Sequence, residues 1–407
     1  MNTLSPPNSP GSWPRRPFGD RLTGALVVGG DYQGLGIVRG LGRQGVPVGV
    51  IDDEHSIAQF SRFATFAQSV AGLRDEETTI EALLELGRRR RLEGWVLYPT
   101  RDETVAAFSR HRERLAACFR VPTPSWKAIQ WVWNKANTYA LANNLGIPTP
   151  RTWYPRAVRD LDEMASALPL VVKPAVKDKF YYATKAKAWR ADSTEELARL
   201  FERAAPHLEP GQVMVQDLIP GGGSQQFAYC AFFKDGHAVS SMVVRRARQH
   251  PSEFGRASTF VETVDAPEIE EHSLKFLRAI NYYGLVEIEY KLDPRDGVYR
   301  LLDVNGRTWG YHTLGTRAGV NFAHQLFLDQ IGEKVEGARA RSGVGWIRLL
   351  TDIPAETLQI VGGLRNPLRY LGSVLSADTE AVFSLGDPLP GLAELFLLPY
   401  LLFKRGF

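Results

Sequence analysis

Short apolar runs alternate with helix-like segments through the first third of the chain. In order, these segments are an apolar run at 25–28, a turn at Gly29-Gly30, a helical pattern at 35–44, an apolar run at 46–51 that ends in Asp52-Asp53, a helix at 76–90, an apolar run at 95–98 and a helix at 103–115. Buried runs of this length, joined by helices, are typical of a parallel sheet. Pro122 and Pro124 then interrupt the pattern and predict a domain boundary.

After a helix at 134–145, which is stopped by Gly146 and Pro148, the pattern becomes β-rich. The predicted strands are 170–173, 184–189, 213–216, 227–233, 238–244, 286–292 and 299–304, with helices at 194–205, 267–281 and 318–331. The turn residues 293–297 predict a hairpin with a five-residue loop between the last two strands. The whole pattern indicates a mixed α/β protein.

Composition narrows the class of protein. Hydrophobic residues make up 44% and charged residues 23%, and the formal net charge is +4, as in ordinary globular proteins. No stripe of basic residues interleaves with aromatic ones, so no nucleic-acid partner is expected. The two cysteines, Cys118 and Cys230, lack disulfide or zinc spacing. A reducing, cytoplasmic location is therefore expected.

The chain ends are distinct from the middle. Residues 1–20 are rich in Pro, Ser, Gly and Asn and lack the apolar region of a signal peptide, so a disordered tail is expected. No run reaches the roughly 20 apolar residues of a membrane span. The nearest, 392–403, contains Glu394 and Pro399. It is interpreted as a packing helix, with a peripheral membrane contact as the alternative.

The glycine-rich turn after the first strand predicts a close backbone approach to a ligand. Gly30 and Gly34 are the candidate substrate contacts, since a glycine turn before a helix suits an anion. The spacing does not match the dinucleotide fingerprint, although Asp52 lies about where its acid would stand. NAD binding and a plain structural turn remain the alternatives.

The hairpin carries the most informative polar residues. Glu287 and Glu289 share a face of one strand, and Asp303 and Asn305 share a face of the other. Acids and Asn disfavour strands, and carboxylate and amide oxygens suit Mg²⁺. If the strand register brings the residues together, they form a metal site; otherwise they are a solvent-facing polar side. Arg307, two residues on, is placed to hold a phosphoryl group or a carboxylate.

Three further segments are weaker signals by themselves. Lys173 ends an apolar strand before Pro174, where a lysine can contact phosphate or simply leave the core. Residues 213–221 form an apolar strand and a turn that can offer backbone groups to a purine. Arg245 and Arg248 lie in the cationic loop Arg245-Arg246-Ala247-Arg248, which either holds a substrate carboxylate or phosphate or consists of surface arginines on an edge strand.

In order and spacing, these pieces resemble the ATP-grasp superfamily, and most of all its carboxylate–amine ligase branch, which includes D-aspartate ligase-like proteins. The resemblance covers roughly residues 25–335. The matching stretches are the Gly29-Gly30 turn, Ser61-Arg62-Phe63, Asn134-Lys135, Gly146-Ile147-Pro148-Thr149-Pro150, Val172-Lys173-Pro174, residues 216–221, Arg248-Gln249-His250-Pro251 with Gly255, Glu287-Ile288-Glu289 and Asp303-Val304-Asn305-Gly306-Arg307, with an echo in Asp387-Pro388-Leu389-Pro390.

The resemblance implies a role for each matched position. Lys135, Lys173 and Lys187 are similar to the family's phosphate-binding lysines, and Arg307 and Lys187 are the residues implied in catalysis. Gln216, the Asp217 carbonyl and the Ile219 amide look like the adenine hinge, and Gln226 lies near the ribose position. Glu289, Asp303 and Asn305 look like the ligands of two Mg²⁺ ions, with Mn²⁺ as the alternative ion.

Several positions depart from the family pattern. Asp303 stands where most relatives have Glu, Gln216 and Gln226 stand where acids are usual, and Gly306 replaces the commoner Pro. The segment 176–185 has no glycine but contains Lys177, Lys179 and Lys185. These changes bear on nucleotide affinity and leave every charge that the chemistry needs.

The resemblance also implies an architecture and an activity. The expected units are the tail 1–20, a parallel α/β pre-ATP-grasp domain at 21–124, a two-lobed ATP-grasp module at 125–335 with a lid at about 170–220, and an extension at 336–407. The expected reaction joins a carboxylate and an amine through an acyl phosphate, giving ADP and phosphate. The alternatives are a carboxylase, a carbamoyl-phosphate-type enzyme, a kinase or a non-catalytic nucleotide-binding protein. The oligomeric state stays open, with a homodimer as one option.

Overall fold

The computed structural model of the chain describes residues 23–176, 180, 183–184, 186–251, 254–255 and 257–400. Within these ranges the strands form three sheets: one parallel and four-stranded, one antiparallel and four-stranded, and one eight-stranded and mostly antiparallel. The predicted tail 1–20 and the lysines Lys177, Lys179 and Lys185 lie outside the described residues. No helix within those ranges is both long and apolar enough to cross a membrane.

The first sheet is parallel, as the sequence pattern predicts. Its elements are β1 (Ala25–Val28), α1 (Tyr32–Gly42), β2 (Val48–Asp52), β3 (Ala64–Ser69), α2 (Glu76–Arg90), β4 (Val96–Pro99), α3 (Asp102–Arg110) and α4 (Arg112–Ala116), with the strand order β3-β2-β1-β4. All residues of β1, β2 and β4 are buried, because helices cover both faces of a parallel sheet. The side chain of Asp31 caps α1 by accepting from the Tyr32 amide.

The second sheet forms a small lobe. Its elements are α5 (Trp126–Trp133), α6 (Lys135–Asn144), β5 (Thr152–Trp153), a 3₁₀ segment (Val158–Ala167), β6 (Leu170–Pro174), β7 (Trp189–Ala191), α7 (Thr194–Ala204) and β8 (Val213–Asp217), with the strand order β5-β8-β6-β7. The prediction of a strand at 184–189 is wrong. Thr184 is helical, and its hydroxyl donates to the Phe180 carbonyl at 2.8 Å, which is the i−4 bond open to a helical threonine.

The third sheet carries the hairpin. Its elements are β9 (Gln226–Lys234), β10 (His237–His250), β11 (Ala257–Thr263), α8 (Pro267–Ala279), β12 (Gly284–Leu292), β13 (Tyr299–Asn305), α9 (Thr313–Ala318), α10 (Phe322–Ile331), β14 (Ala338–Arg339), β15 (Gly345–Ile347) and β16 (Thr379–Glu380). The helix predicted at 318–331 begins at Phe322, four residues later than predicted, and Ala318 is the last residue of the preceding helix α9. Gly319 ends α9 with a φ of 105°, a left-handed conformation that glycine adopts without a steric penalty.

The last helices pack on this sheet and return to the first one. They are α11 (Leu349–Val361), α12 (Pro367–Leu375) and α13 (Leu389–Phe396), and residues 401–403 of the apolar run 392–403 lie outside the described residues. Asp387 accepts hydrogen bonds from Arg39 Nε at 2.9 Å and from Ser61 Oγ at 2.7 Å. One hydrophobic core joins Val27 of β1 to Trp309 and Trp346, so the first and third sheets hold each other in place.

His312 is a buried side chain of this core. Its Nε2 lies 3.0 Å from the Gln33 carbonyl oxygen, and a Cβ at position 36 would come within 2.4 Å of the same nitrogen, so Gly36 makes the contact sterically allowed. Burial lowers the pKa of His312 to about 4, against the opposing effect of the hydrogen bond to Gln33. The imidazole is therefore neutral in the folded protein at neutral pH.

We expect acid to destabilise the fold partly through His312. Above pH ~6.5 neither the folded nor the unfolded state is protonated at this residue. Below that pH the unfolded state binds a proton that the folded state does not, so the free energy of unfolding falls by up to ~1.4 kcal/mol per pH unit until about pH 4. Urea unfolding at pH 7 and pH 5 should show a smaller drop for His312→Gln than for the wild type, while the exposed His237→Gln should keep the full drop. Equal drops in all three proteins would contradict this assignment.

Candidate functional site

The hairpin of β12 and β13 places its polar residues directly opposite one another. Glu287 pairs with Asn305, and Glu289 pairs with Asp303. The Asn305 side-chain amide donates to Glu287 Oε2 and to Glu289 Oε1, each at 3.0 Å. The strand register is therefore the one that brings all four side chains to one face of the sheet.

The carboxylates on this face of the hairpin lie close together and are largely shielded from solvent. Burial, and secondarily the charge of Glu289, raise the pKa of Glu287 to about 7. The Tyr311 hydroxyl donates to Glu287 Oε1, and the Arg246 guanidinium lies 3.5 Å from Glu289 Oε2. Additional positive charge at this face would favour the ionised form of both carboxylates.

The donor set fits a hard divalent cation that is shared with a ligand. Among the described residues, no three His, Cys, Asp or Glu side chains are grouped closely enough to hold a metal by themselves. Glu289, Asp303 and Asn305 supply two carboxylates and one amide oxygen from facing strands. Mg²⁺ is typically held by one or two carboxylates, with phosphate and water oxygens completing the shell. The residues present are therefore consistent with Mg²⁺ accompanying a phosphorylated ligand.

Three lysines reach the same cleft from different elements. Lys135, the first residue of α6, pairs with Asp303. Lys173 Nζ on β6 donates to the Tyr139 hydroxyl at 2.8 Å, and Lys187 Nζ donates to the Gly255 carbonyl at 3.2 Å. All three line a cavity of about 360 Å³ together with the hairpin residues Glu287, Glu289, Asp303 and Asn305. The structure thus gathers the predicted phosphate lysines around the predicted metal ligands.

A second cavity, of about 410 Å³, adjoins the first and contains the predicted hinge. Gln216, Asp217 and Ile219 line it, and Lys173 and Gln226 line both cavities. The Gln216 amide donates to Thr152 Oγ1 at 2.7 Å, and Lys291 Nζ fixes the turn by donating to the Ile219 and Gly221 carbonyls, each at 2.8 Å. The walls of this second cavity include the apolar side chains of Val171, Phe254 and Leu302. A flat heterocycle can fit between such walls while its polar edge meets the backbone.

Arg307 follows β13 and faces two cavities at once. Its Nε donates to Asp102 Oδ1 at 2.6 Å, and its Nη2 lies 3.3 Å from Asp102 Oδ2. Burial alone would lower the pKa of Arg307, but the charge of Asp102 holds it above the usual value, so the side chain stays charged. The residue lines the 360 Å³ cavity and a third cavity of about 370 Å³.

This third cavity lies at the carboxyl ends of the parallel strands and has side chains of both charges. Its charged lining residues are Asp31, Asp52, Glu54, Arg74, Arg101, Asp102, Glu103 and Arg307. Arg101 bonds Asp52 at 2.6 Å and Asp53 at 2.7 Å. Such ends are where ligands bind in open α/β sheets, so this cavity is the candidate substrate pocket.

The predicted glycines shape this pocket without lining it. The Gly30 amide donates to Asp52 Oδ2 at 2.6 Å, and a Cβ at Gly34 would come within 2.2 Å of the Gly29 carbonyl oxygen. Gly29 itself lines the pocket with a φ of 98°. Asp52, the acid that a dinucleotide site would use for ribose, is already bonded to Gly30 and Arg101. This arrangement gives no support to NAD binding.

The two arginines predicted as substrate contacts lie elsewhere. Arg245 is exposed and bonds Glu262 through Nε at 2.7 Å. Arg248 is buried against Asp352, with two bonds of 2.9 and 2.8 Å. Neither lines any of the three cavities. The segment is strand rather than loop, so Arg245 and Arg246 lie on opposite faces, and Arg246 faces the cleft. The strand pairing is irregular between Arg246 and Arg248, so Arg248 does not share the face of Arg246.

Arg246 is thus the arginine of this segment that belongs to the cleft, although the sequence pointed to Arg245 and Arg248 as the contact residues. Its Nη1 donates to Gln226 Oε1 at 2.6 Å, next to its contact with Glu289. The usable signal was the two-residue period of the predicted strand 238–244, which, continued to residue 246, separates Arg245 from Arg246.

Comparisons with known proteins agree with this geometry. No family model matches the chain. Its sequence is 23% identical over 295 residues to the D-aspartate ligase of Enterococcus faecium (strain Aus0004), covering 69% of this chain and 70% of that one. The L-amino acid ligase of Bacillus licheniformis superposes with a TM-score of 0.61 at 15% identity, over 78% of this chain and 76% of that one.

A carboxylase has the same fold. The biotin carboxylase domain of the Hydrogenobacter thermophilus 2-oxoglutarate carboxylase, solved with MgADP, ADP and bicarbonate, superposes with a TM-score of 0.62 at 16% identity, over 80% of this chain and 74% of that one. The chain therefore has the ATP-grasp fold, and its sequence is similar to that of a D-aspartate ligase.

Proposed function

We propose that this protein is an ATP-dependent ligase that joins a carboxylate to an amine through an acyl phosphate. One observation carries the proposal. Arg307 lines both the 360 Å³ cavity, which contains the lysines and the proposed metal ligands, and the third cavity, which lies at the ends of the parallel strands. A ligase needs this adjacency, because the phosphoryl donor and the acid must meet at one point.

The nucleotide is proposed to lie across the two connected cavities. The adenine occupies the hinge cavity near Gln216 and Ile219, and the phosphates reach Lys135, Lys173 and Lys187. Two structural neighbours were solved with these ligands: the Hydrogenobacter domain with MgADP, and a carboxyaminoimidazole ribonucleotide synthase with ATP. Both support nucleotide binding by a protein of this fold.

The first step forms the acyl phosphate. A carboxylate oxygen attacks the γ-phosphorus of ATP, the bond from that phosphorus to the β,γ-bridging oxygen breaks, and ADP leaves with the electron pair. Lys135, Lys173 and Arg307 hold the phosphate oxygens and spread the developing charge. Mg²⁺ held by Glu289, Asp303 and Asn305 would neutralise further charge on those oxygens.

The second step forms the amide. The uncharged amine attacks the acyl carbon, the carbon–oxygen bond to phosphate breaks, and the nitrogen releases its extra proton. The acyl phosphate must be protected from water during this step. The small lobe, with Lys173 and Lys187 on one side of the cleft, is in the position to cover it.

The substrate pocket favours ligands that carry both charges. Five of its eight charged lining residues are acids and three are arginines, and Arg74 and Arg101 bond the lining acids Glu54 and Asp52 and the adjacent Asp53. An amino acid, which has an ammonium and a carboxylate, suits this mixed lining with its excess of acids better than a polyanion does. We therefore propose an amino acid as one of the two substrates.

The test is phosphate release from MgATP by the purified protein with pooled carboxylates and pooled amino acids, each pool also omitted in turn. Release that needs both pools is expected. Release with the carboxylate pool alone would instead indicate a kinase or the loss of an acyl phosphate to water. Release that depends on bicarbonate would indicate a carboxylase.

Replacing Arg246 by Ala is expected to weaken MgATP binding by about tenfold or more, because a hydrogen bond to a charged group contributes ~1.5–3 kcal/mol. Isothermal titration calorimetry measures this directly without the acceptor substrates. The control is Arg245→Ala, one residue away on the opposite face, which should change Kd by less than about twofold because its exposed ion pair contributes little. Equal Kd values for the two variants would show that Arg246 is not part of the nucleotide site.

A further inference from the structure

The three C-terminal helices expose apolar side chains and bury their acids. Twelve of the fifteen exposed large apolar side chains in the described part of the chain lie between residues 353 and 396. In α11, Asp352 and Glu356 are buried, while Leu358 is 70% exposed and Val361 is 82% exposed. This is the reverse of the usual pattern of a helix on a water-soluble domain.

The inward direction of the acids has a structural cause. Asp352 pairs with Arg248 of β10, Glu356 with Arg365, and Glu394 of α13 with Arg348. These three are the acidic residues of α11, α12 and α13. Their burial leaves the outer surface of these helices without a carboxylate.

The same exposed apolar chemistry recurs on the other two helices. Leu368, Leu371 and Leu375 are exposed, and their spacing of three and four residues puts them on one face of α12, while Leu364 is exposed in the turn before it. Leu392, Leu395 and Phe396 extend the exposed apolar character into α13. Arg365 and Arg369 are exposed beside the leucine stripe. We call the outer surface of α11, α12 and α13 the C-terminal apolar face.

We propose that the C-terminal apolar face binds the surface of an anionic phospholipid bilayer. Leucine and phenylalanine on one side of a helix, with arginines at its flank, are the composition of helices that lie in the plane of the lipid headgroups. Cationic side chains beside such a helix are attracted by anionic lipids. Charge argues against a second copy as the occupant, since the three carboxylates of these helices are buried and already paired, Glu356 with the exposed Arg365, and none is left to meet Arg369 of the other copy.

The helices are attached rigidly enough to transmit this contact to the enzyme. The buried Arg348, which follows β15, lies 4.1 Å from the centre of the Tyr32 ring, and both Tyr32 and Trp346 line the 360 Å³ cavity. Lipid binding would therefore hold the ATP cleft close to the membrane surface. This inference stands apart from the proposed reaction, since nothing in it depends on which substrates are joined.

The test is co-flotation of the full chain with vesicles of phosphatidylcholine, with and without phosphatidylglycerol. The wild type is expected to float with the anionic vesicles and much less with the neutral ones. The triple variant Leu368→Gln, Leu371→Gln, Leu375→Gln should lose at least tenfold in the bound fraction, and Arg369→Glu should lose binding mainly to the anionic vesicles. The control is Val158→Gln, an exposed apolar residue of the small lobe, which should bind as the wild type does.

Folding and oligomeric state are checked on the same samples. Because the replaced leucines are exposed, the triple variant should keep the thermal midpoint and the ATP-dependent phosphate release of the wild type, which separates this test from that of the reaction. Absence of wild-type flotation, or equal flotation of the triple variant, would overturn the proposal. A concentration-dependent dimer that the triple variant abolishes would also overturn it and would make this face a contact between copies.

Discussion

Asp303→Asn is expected to abolish ATP-dependent phosphate release, with a loss of at least about a thousandfold in kcat. The change keeps the shape of the side chain and removes its charge. It removes one carboxylate from the proposed metal site and also breaks the ion pair that positions Lys135. Steady-state phosphate release measures the effect, and the thermal midpoint verifies that the variant is folded.

Metal dependence separates the two roles of Asp303. If it is a metal ligand, raising Mg²⁺ or substituting Mn²⁺ should restore part of the activity, because excess ion offsets a weakened site. Asp296→Asn is the matched control, since Asp296 belongs to the loop of the same hairpin and bonds Arg300. It should keep near wild-type activity. Full activity of Asp303→Asn would refute the metal assignment, and loss that no ion restores would leave only a role in positioning Lys135.

The second large effect is expected for Arg307→Lys, which should lower kcat by about a hundred- to a thousandfold. Lysine keeps the charge but loses the planar fork that bonds Asp102 with two nitrogens. If Arg307 steadies the transferring phosphoryl group, the loss appears in kcat, while the Kd for MgATP changes by only a few fold. Single-turnover phosphate release and calorimetry together make this distinction.

Arg245→Lys provides the control for the arginine-to-lysine change, because Arg245 is exposed and lies outside the cleft. It should leave kcat unchanged within about twofold. An Arg307→Lys enzyme with normal kcat and a raised KM for the acid would show that Arg307 binds the acid substrate equally in the ground and transition states.

The hairpin shows how far the sequence could predict this site. Two-residue spacing puts Glu287 with Glu289, and Asp303 with Asn305, on common faces without any structural information. From the sequence, it could only be assumed that the two pairs face each other, since a shift of the strand pairing by one residue would turn one pair to the opposite side of the sheet. The observed pairing of Glu289 with Asp303 supplies what the spacing left open.

Arg245, Arg246 and Arg248 show where local reasoning stopped. Their faces depend on which side of β10 is buried, and Arg248 is further fixed by Asp352, a residue 104 positions later in the chain. A partner so distant leaves no local pattern. The break at Gly319 was missed because apolar residues occur on both sides of it, so the hydrophobic pattern continues across the point where the backbone turns.

The carboxylate of Asp387 has a consequence for how the protein is made. It binds Arg39 and Ser61, both in the first domain, more than three hundred residues earlier in the chain. Contacts that span such a distance form late, because a long loop must close before they contribute. During synthesis, the elements of the first sheet therefore lack the partner of Arg39 until residue 387 has been translated. Nascent chains that stop before residue 387 should accumulate with Arg39 unpaired, and these are the forms in which chaperones would be most needed.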